Sequence, residues 1–200
     1  MGGDRWFAAL YDLATGCFEG GVLRKLRVWV AGEAAGRVLE VGVGTGANFP
    51  YYPEALGLVA VDPNLFMLAR ARRRADRLGR DVGLIRAAAE ALPFADGSFD
   101  TVVATLVFCS VFDLDRAVAE VRRVLRPGGT FRFIEHVRAE GGLLGRLQDG
   151  ATPAWRRVAG GCHLNRRTVE AIERAGFELV RLEDHSLLFM PLVAGVARPK

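Results

Sequence analysis

The segment Arg37-Val38-Leu39-Glu40-Val41-Gly42-Val43-Gly44-Thr45-Gly46 constrains this chain more than any other. An apolar run ends in an acid and breaks into a Gly-x-Gly-x-Gly turn. A second apolar run, Leu58-Val59-Ala60-Val61, ends in Asp62. Open α/β sheets build nucleoside crevices from such parts. Glycines let the backbone approach the ligand, and a carboxylate at the next strand tip receives ribose hydroxyls. A ligand-free strand–helix turn explains less, because it has no need of so many residues that lose backbone freedom on folding.

The spacing bears on which nucleoside fits. A dinucleotide fingerprint reads Gly-x-Gly-x-x-Gly and presents a helix N-terminus to a pyrophosphate. Here the third glycine comes one residue early, and Ala47 follows it. Glu40, two residues before Gly42, would repel a pyrophosphate and suits a cationic ligand. S-adenosylmethionine carries an ammonium and a sulfonium and no phosphate. Asp62, 20 residues after Gly42, is common to both cofactor types and does not separate them.

Composition narrows the setting. A chain of 200 residues with 50% hydrophobic content fits one domain with a substantial core. No stretch approaches the ~18 apolar residues of a membrane span. The opening Met1-Gly2-Gly3-Asp4-Arg5-Trp6 is not a basic-then-apolar leader, so a cytoplasmic protein without stable membrane insertion is expected. Cys17, Cys109 and Cys162 are odd in number and far apart; they form no disulfide framework or zinc pattern, and no metal is expected. The net charge is a mild +4. Arg70, Arg72, Arg73, Arg74 and Arg77 crowd one helix candidate and read as a solvated face, since no nucleic-acid motif accompanies them. Abundant Arg and Ala with Lys only at 25 and 200 point to a GC-rich bacterial genome.

Strand and helix candidates alternate. An amphipathic region from Trp6 to about Ala31 comes first. Strands are expected at Val38–Val41, Leu58–Val61, Val82–Ile85, Thr101–Leu106 and Thr130–Ile134. Helices are expected near Ala47–Tyr52, Leu65–Leu78 and Leu114–Val124. The strands are continuous apolar runs, as a parallel sheet covered on both faces requires. Further on, Arg166–Ala175 reads as a helix, Phe177–Leu182 as a strand and Leu187–Ala197 as the last strand of an antiparallel pair. The segment holding Cys162 and His163 reads as irregular.

These pieces resemble the class I S-adenosylmethionine-dependent methyltransferases (type 11-like) through most of the chain. Gly42–Gly46 resembles the donor-binding loop and Asp62 the ribose-binding acid. Ala89-Glu90-Ala91-Leu92-Pro93-Phe94 is similar to the segment beside the adenine, and Glu120–Gly129 to the helix-turn before the fifth strand. A narrower likeness joins Asn48–Pro53, Val61–Asn64, Thr105–Val111, Glu135–Val137, Pro153-x-Trp155 and Gly160–Arg166 to the alkyl-thiol methyltransferases of animals and their bacterial relatives, which include phospholipid and quinone methyltransferases. The animal proteins carry an N-terminal hydrophobic anchor that does not appear in this sequence. The resemblance implies a Rossmann-like, seven-stranded, mostly parallel sheet with helices on both faces and an antiparallel C-terminal strand. It implies one domain over 1–200: a helical cap (1–35), a donor-binding core (36–138) and an acceptor-side segment with the last strands (139–200). Donor contacts then fall on Glu40, Gly42, Gly44, Gly46, Asn48, Asp62, Pro63, Ala89, Glu90 and Thr105, with S-adenosylhomocysteine as the product. One departure is Ala88, where many members have an Asp for the adenine amino group.

Methyl transfer from a sulfonium is an in-line displacement, so the protein mainly holds donor and acceptor ~3–3.5 Å apart. A base is needed only where the acceptor must lose a proton; a thiol of pKa ~8.5 needs modest help. His136 and His163, expected beyond the strand tips, are the leading proton-handling candidates, with a structural hydrogen bond as the alternative for each. On the substrate side stand Trp6, Tyr11, Cys109 and Trp155. The N-terminal aromatics form either a lid over a small-molecule acceptor or a packing face, and Cys109 reads first as a small core hydrophobe. The competing classes are a nicotinamide-linked oxidoreductase, which the glycine spacing disfavours, and a non-catalytic binder of S-adenosylmethionine. The absence of Gly-x-Ser-x-Gly argues against a hydrolase.

Overall fold

The computed structural model describes residues 21–54, 56–187 and 190–200. Trp6, Tyr11, their aromatic neighbours and Cys17 lie outside the described residues. Helix α1 (Val22–Gly32) leads into β1 (Arg37–Val41), β2 (Gly57–Asp62), α2 (Leu65–Leu78), β3 (Gly83–Arg86) and β4 (Phe99–Thr105). Then come α3 (Leu114–Val124), β5 (Leu125–His136), α4 (Gly142–Val158), α5 (Thr168–Arg174), β6 (Phe177–Leu187) and β7 (Met190–Pro199). The strands form one seven-stranded sheet in the order β3-β2-β1-β4-β5-β7-β6. The first five run parallel, and β7 pairs antiparallel with both β5 and β6. The chain winds outward from β1 to β3, then returns to place β4 on the other side of β1. That reversal opens a crevice at the C-terminal ends of β1 and β4, where such sheets bind ligands.

Local chemistry sets the helix ends. Asn64 Oδ1 accepts from the N–H of Phe66 (2.9 Å), and Gly79, left-handed at φ 63°, ends the helix. Met67, Leu68, Ala71 and Ala75 face inward while Arg72, Arg73 and Arg77 are exposed, so the arginine run is a solvated face. Asp113 caps α3 by accepting from the Arg116 N–H at 3.0 Å. The core has two halves, one on each face of the sheet. Leu39, Val102, Phe131 and Phe133 pack with α3 and α5 on one side; Val38, Val103 and Ile134 pack with α1 and α2 on the other. Adjacent residues of one strand thus enter opposite halves, which is why these strands carry no polar face.

The structure departs from the expected elements at three places. The helix expected over Ala47–Tyr52 is one 3-10 turn, Phe49–Tyr51. Pro50 and Pro53 remove the N–H groups that a longer helix would donate. Leu187 ends β6, and β7 begins at Met190. The 17-residue helix α4 stands where no element is expected, while Cys162 and His163 beyond it lie in irregular chain, as expected. Among the described residues no helix is long and apolar enough to cross a membrane.

Arg132 ties α1 to the sheet. From buried β5 its guanidinium donates to the carbonyls of Val30 (2.8 Å) and Trp29 (3.1 Å) and pairs with Glu33 (2.6 Å). A cation thus meets the last carbonyls of the helix, at the negative end of its dipole. Arg132→Met takes the side-chain donor from the Val30 carbonyl and leaves the Trp29 carbonyl only the Glu33 N–H at 3.4 Å. We expect it to lower unfolding free energy by about 1–3 kcal/mol, seen as a lower urea midpoint with an unchanged denaturant slope.

Candidate functional site

The crevice is lined by the glycine loop after β1, the tip of β2 and the segment after β4. Gly42, Gly44 and Gly46 all adopt positive φ. At Gly42 an added Cβ would stand 2.5 Å from Val107, so this loop packs directly on the chain leaving β4. At Gly44 a Cβ would meet nothing within 4 Å: the backbone there faces open space. Asp62 holds the loop from the next strand. Its Oδ2 accepts from the Gly44 N–H (3.0 Å) and its Oδ1 from the Asn64 N–H (2.8 Å). Each oxygen keeps lone-pair capacity for a further donor. Burial raises the Asp62 carboxyl above its ordinary range, offset by these amides.

Beneath the loop lies a buried polar network. Asn48, 1% exposed, donates to Glu40 Oε1 (2.9 Å) and Thr105 Oγ1 (3.0 Å) and accepts from Arg27 (2.7 Å). It joins β1, β4 and α1 in one hub. Glu40 Oε2 and the nearby Tyr52 hydroxyl are buried without a well-formed hydrogen bond. Burial raises the Glu40 carboxyl to about 7, opposed by Asn48, Tyr52 and Arg27 and reinforced by Asp62. Glu40 is thus buried beneath the loop with one oxygen still free of a well-formed hydrogen bond.

In the segment after β3 Ala89 is buried and Ala88 exposed. Glu90 Oε1 accepts from the N–H of Phe112 (2.7 Å), so this carboxylate anchors the loop before α3. Arg123 braces the neighbouring segment through the carbonyls of Phe94 (2.7 Å) and Leu92 (3.0 Å).

A second wall rises from the tips of β4 and β5. Leu106 is the one non-glycine residue with positive φ among the described residues (57°), a strained conformation beside the crevice. Glu135 is fully buried, and its Oε1 accepts from the N–H groups of Val107 (2.7 Å) and Phe108 (3.0 Å). It holds the β4 tip in its turn, and burial raises its carboxyl to about 7. The segment after α4 is pinned to the same tip. Cys109 O accepts from both the N–H (2.8 Å) and Nδ1 (3.0 Å) of His163, and Val111 O accepts from Arg166 (2.7 Å). Burial, then Arg166 and Arg156, lower the His163 pKa.

His136 Nε2 lies 2.9 Å from Cys162 Sγ. Burial opposes charging of His136, yet the Cys162 sulfur lifts its pKa. The Cys109 thiol lies 3.6 Å from the Leu106 carbonyl, and the proximity of Cys109, then of His136, holds Cys162 toward thiolate while Cys162 and burial hold Cys109 toward thiol. Cys109 is buried, but against Cys162 and Ser110 rather than only among hydrophobes. The structure thus gathers His136, His163, Cys109 and Trp155 on one wall, and joins Cys162 to them. Sequence spacing concealed that gathering, because the strand order alone makes the tips of β4 and β5 neighbours.

A mostly parallel sheet with a glycine loop and strand-tip acid at its reversal defines a nucleoside-binding α/β domain. Open backbone at Gly44, a ribose-side carboxylate and a buried anion under the loop fit S-adenosylmethionine, a nucleoside with a cationic amino-acid end. Residues 39–133 match the methyltransferase domain family. Phosphatidylethanolamine N-methyltransferase of Cereibacter sphaeroides is 36% identical over 146 residues, 72% of this chain and 70% of that protein. Thiol S-methyltransferase TMT1A of Homo sapiens is 42% identical over 152 residues, 73% of this chain but only 62% of that protein's length. A SAM-dependent methyltransferase from Thermotoga maritima shares the fold, with TM-score 0.73, 24% identity and 98% of each chain covered. The chain belongs to the S-adenosylmethionine-dependent methyltransferase family.

Folded Glu40 holds its proton up to about pH 7, while an ordinary carboxyl releases it near 4.5. Its contribution to stability is therefore present at low pH and lost as pH rises through that window. Glu40→Gln removes this loss. Relative to wild type, the ligand-free Gln variant should gain stability between pH 5 and pH 8, on the order of 2–3 kcal/mol by urea unfolding. A constant difference across that range would show that Glu40 stays ionised.

Proposed function

We propose that this chain methylates the sulfur of a small thiol, with S-adenosylmethionine as donor. The carrying observation is His163. A carbonyl only accepts, so the contact with Cys109 O places the ring proton on Nδ1 and leaves the Nε2 lone pair without a partner among the described residues. An imidazole (pKa ~6.5) is matched to a thiol (~8.5), whereas a phenol (~10) or an ammonium asks for a stronger base. Bound S-adenosylmethionine supplies a methyl group already activated on positive sulfur. The chain's residues position and deprotonate: Gly42, Gly44, Gly46 and Asp62 hold the nucleoside, with Pro63, Ala89 and Glu90 along the adenosine side. Asn48 and Thr105 brace the loop, and Glu40 offsets the donor's positive charge from below. His163 Nε2 takes the acceptor's proton, and Cys109 and Trp155 border the acceptor. His136 acts through Cys162. The name of the human relative agrees with a thiol acceptor.

A phospholipid acceptor is the second reading. Leu143 (73% exposed) and Leu147 (58%) stand out from α4 beside Arg146, a surface suited to an anionic lipid aggregate. We place the protein in the cytoplasm of a bacterium. Free thiols at Cys109 and Cys162, adjacent yet unpaired, suit a reducing compartment, and the Arg- and Ala-rich composition supports the source.

S-adenosylhomocysteine at ~100-fold above its dissociation constant should stabilise the protein by ~2.7 kcal/mol, and Asp62→Ala should weaken that binding at least ~10-fold. With labelled donor, alkyl thiols should accept methyl in preference to phenols, quinones, amines and phospholipid vesicles. His163→Ala should lower kcat/KM for alkyl thiols ~100-fold, and less for more acidic aryl thiols. An equal loss for both thiol classes removes the base role. Faster transfer to vesicles than to any thiol overturns the acceptor.

A further inference from the structure

Cys109 Sγ, His136 Nε2 and Cys162 Sγ lie within 4.8 Å of one another. They come from the tip of β4, the end of β5 and the turn after α4. Two sulfurs and one imidazole nitrogen form a soft donor set that favours zinc over harder cations. Three protein ligands, counted among the described residues, leave a tetrahedral ion one open position, as in catalytic rather than structural zinc sites.

We propose that Cys109, His136 and Cys162 bind a divalent zinc ion whose fourth position receives an external thiolate. The thiolate half rests on the thiol acceptor proposed above; the metal half does not. Binding releases the proton of each cysteine that is still a thiol, and the two thiolates then neutralise the dication, with neutral His136 as third ligand. An incoming thiol gives its proton to solvent or to His163 Nε2 as its sulfur takes the open position.

The geometry needs one small adjustment. His136 Nε2 and Cys162 Sγ are 2.9 Å apart, a hydrogen-bond distance. Zn–S of ~2.3 Å and Zn–N of ~2.0 Å in a tetrahedron separate such ligands by about 3.6 Å. Cys162 can move this far because it follows the end of α4, in a turn outside any helix, and is half-exposed. Cys109, in the turn after β4, and His136, the last residue of β5, are buried and provide the fixed side. Outer contacts are present as well. Ser110 Oγ lies 3.4 Å from Cys109 Sγ, and the Cys109 carbonyl is held by His163 Nδ1 at 3.0 Å. Such partners orient ligands and tune the ion.

The test is titration of reduced full-length protein with cobalt(II), an optical stand-in for zinc, under anaerobic conditions. One equivalent per chain should bind with tetrahedral d–d bands and thiolate-to-cobalt charge transfer. Added alkyl thiol should change those bands. Cys162→Ser and His136→Asn should each weaken cobalt binding at least ~100-fold while S-adenosylhomocysteine still stabilises the variants. If a variant does not fold, the wild-type titration still decides. Wild type that shows no thiolate-to-cobalt bands overturns the site, as does a folded Cys162→Ser with unchanged affinity. Cobalt bound with those bands but indifferent to added thiol overturns the open position alone. Cobalt binding without thiol methylation keeps the metal site and removes only the acceptor reading.

Discussion

The hub at Asn48 is the interaction on which the crevice depends. One side-chain amide meets Glu40 from β1, Thr105 from β4 and Arg27 from α1. β1 and β4 flank the reversal of the sheet, and the glycine loop leaves directly above. A buried amide with three partners fixes all of them at once, since loss of any one leaves a polar group stranded away from water. The Arg27 charge partly offsets burial of Glu40, which remains the least satisfied member through its second oxygen. The anion under the loop is therefore kept by structure at some cost in stability, as a site for a cationic ligand requires.

Glu135 does for the turn after β4 what Asn48 does for the glycine loop. Its Oε1 fixes two successive amides after the strained Leu106, and that turn presents Cys109 to both Cys162 and His163. Gly42 packs on Val107 in the same turn. The glycine loop and the wall after β4 thus share one short segment of backbone, so a displacement in either reaches the other within a few residues.

Legibility in the sequence followed from how local each signal is. Leu65–Leu78 was readable to the residue because Asn64 caps it and Gly79 ends it, both by nearest-neighbour chemistry. The parallel strands were readable as apolar runs because both their faces are buried. Helix α4 was not. It starts after Gly141, contains Gly145, Gly150 and Pro153, and carries Leu143, Leu147 and Trp155 on its exposed side, so neither propensity nor periodicity announces it. The segment Ala47–Tyr52 has the apolar and aromatic content of a helix, but Pro50 within it and Pro53 just beyond it limit it to one 3-10 turn.

The site divides along the same line. Gly42, Gly44, Gly46 and Asp62 are contiguous or follow one strand-to-strand spacing, so their partnership is written in the chain order. Cys109, His136 and Cys162 are joined only because β4 and β5 are adjacent and α4 returns the chain to their tips. Sequence spacing offers only the neighbours Cys162 and His163, which form no ligand pattern. His163 turns its Nδ1 to a backbone carbonyl, whereas His136, on a distant strand, is the imidazole that meets the sulfur. Contacts that depend on sheet order become visible only once the sheet is in hand.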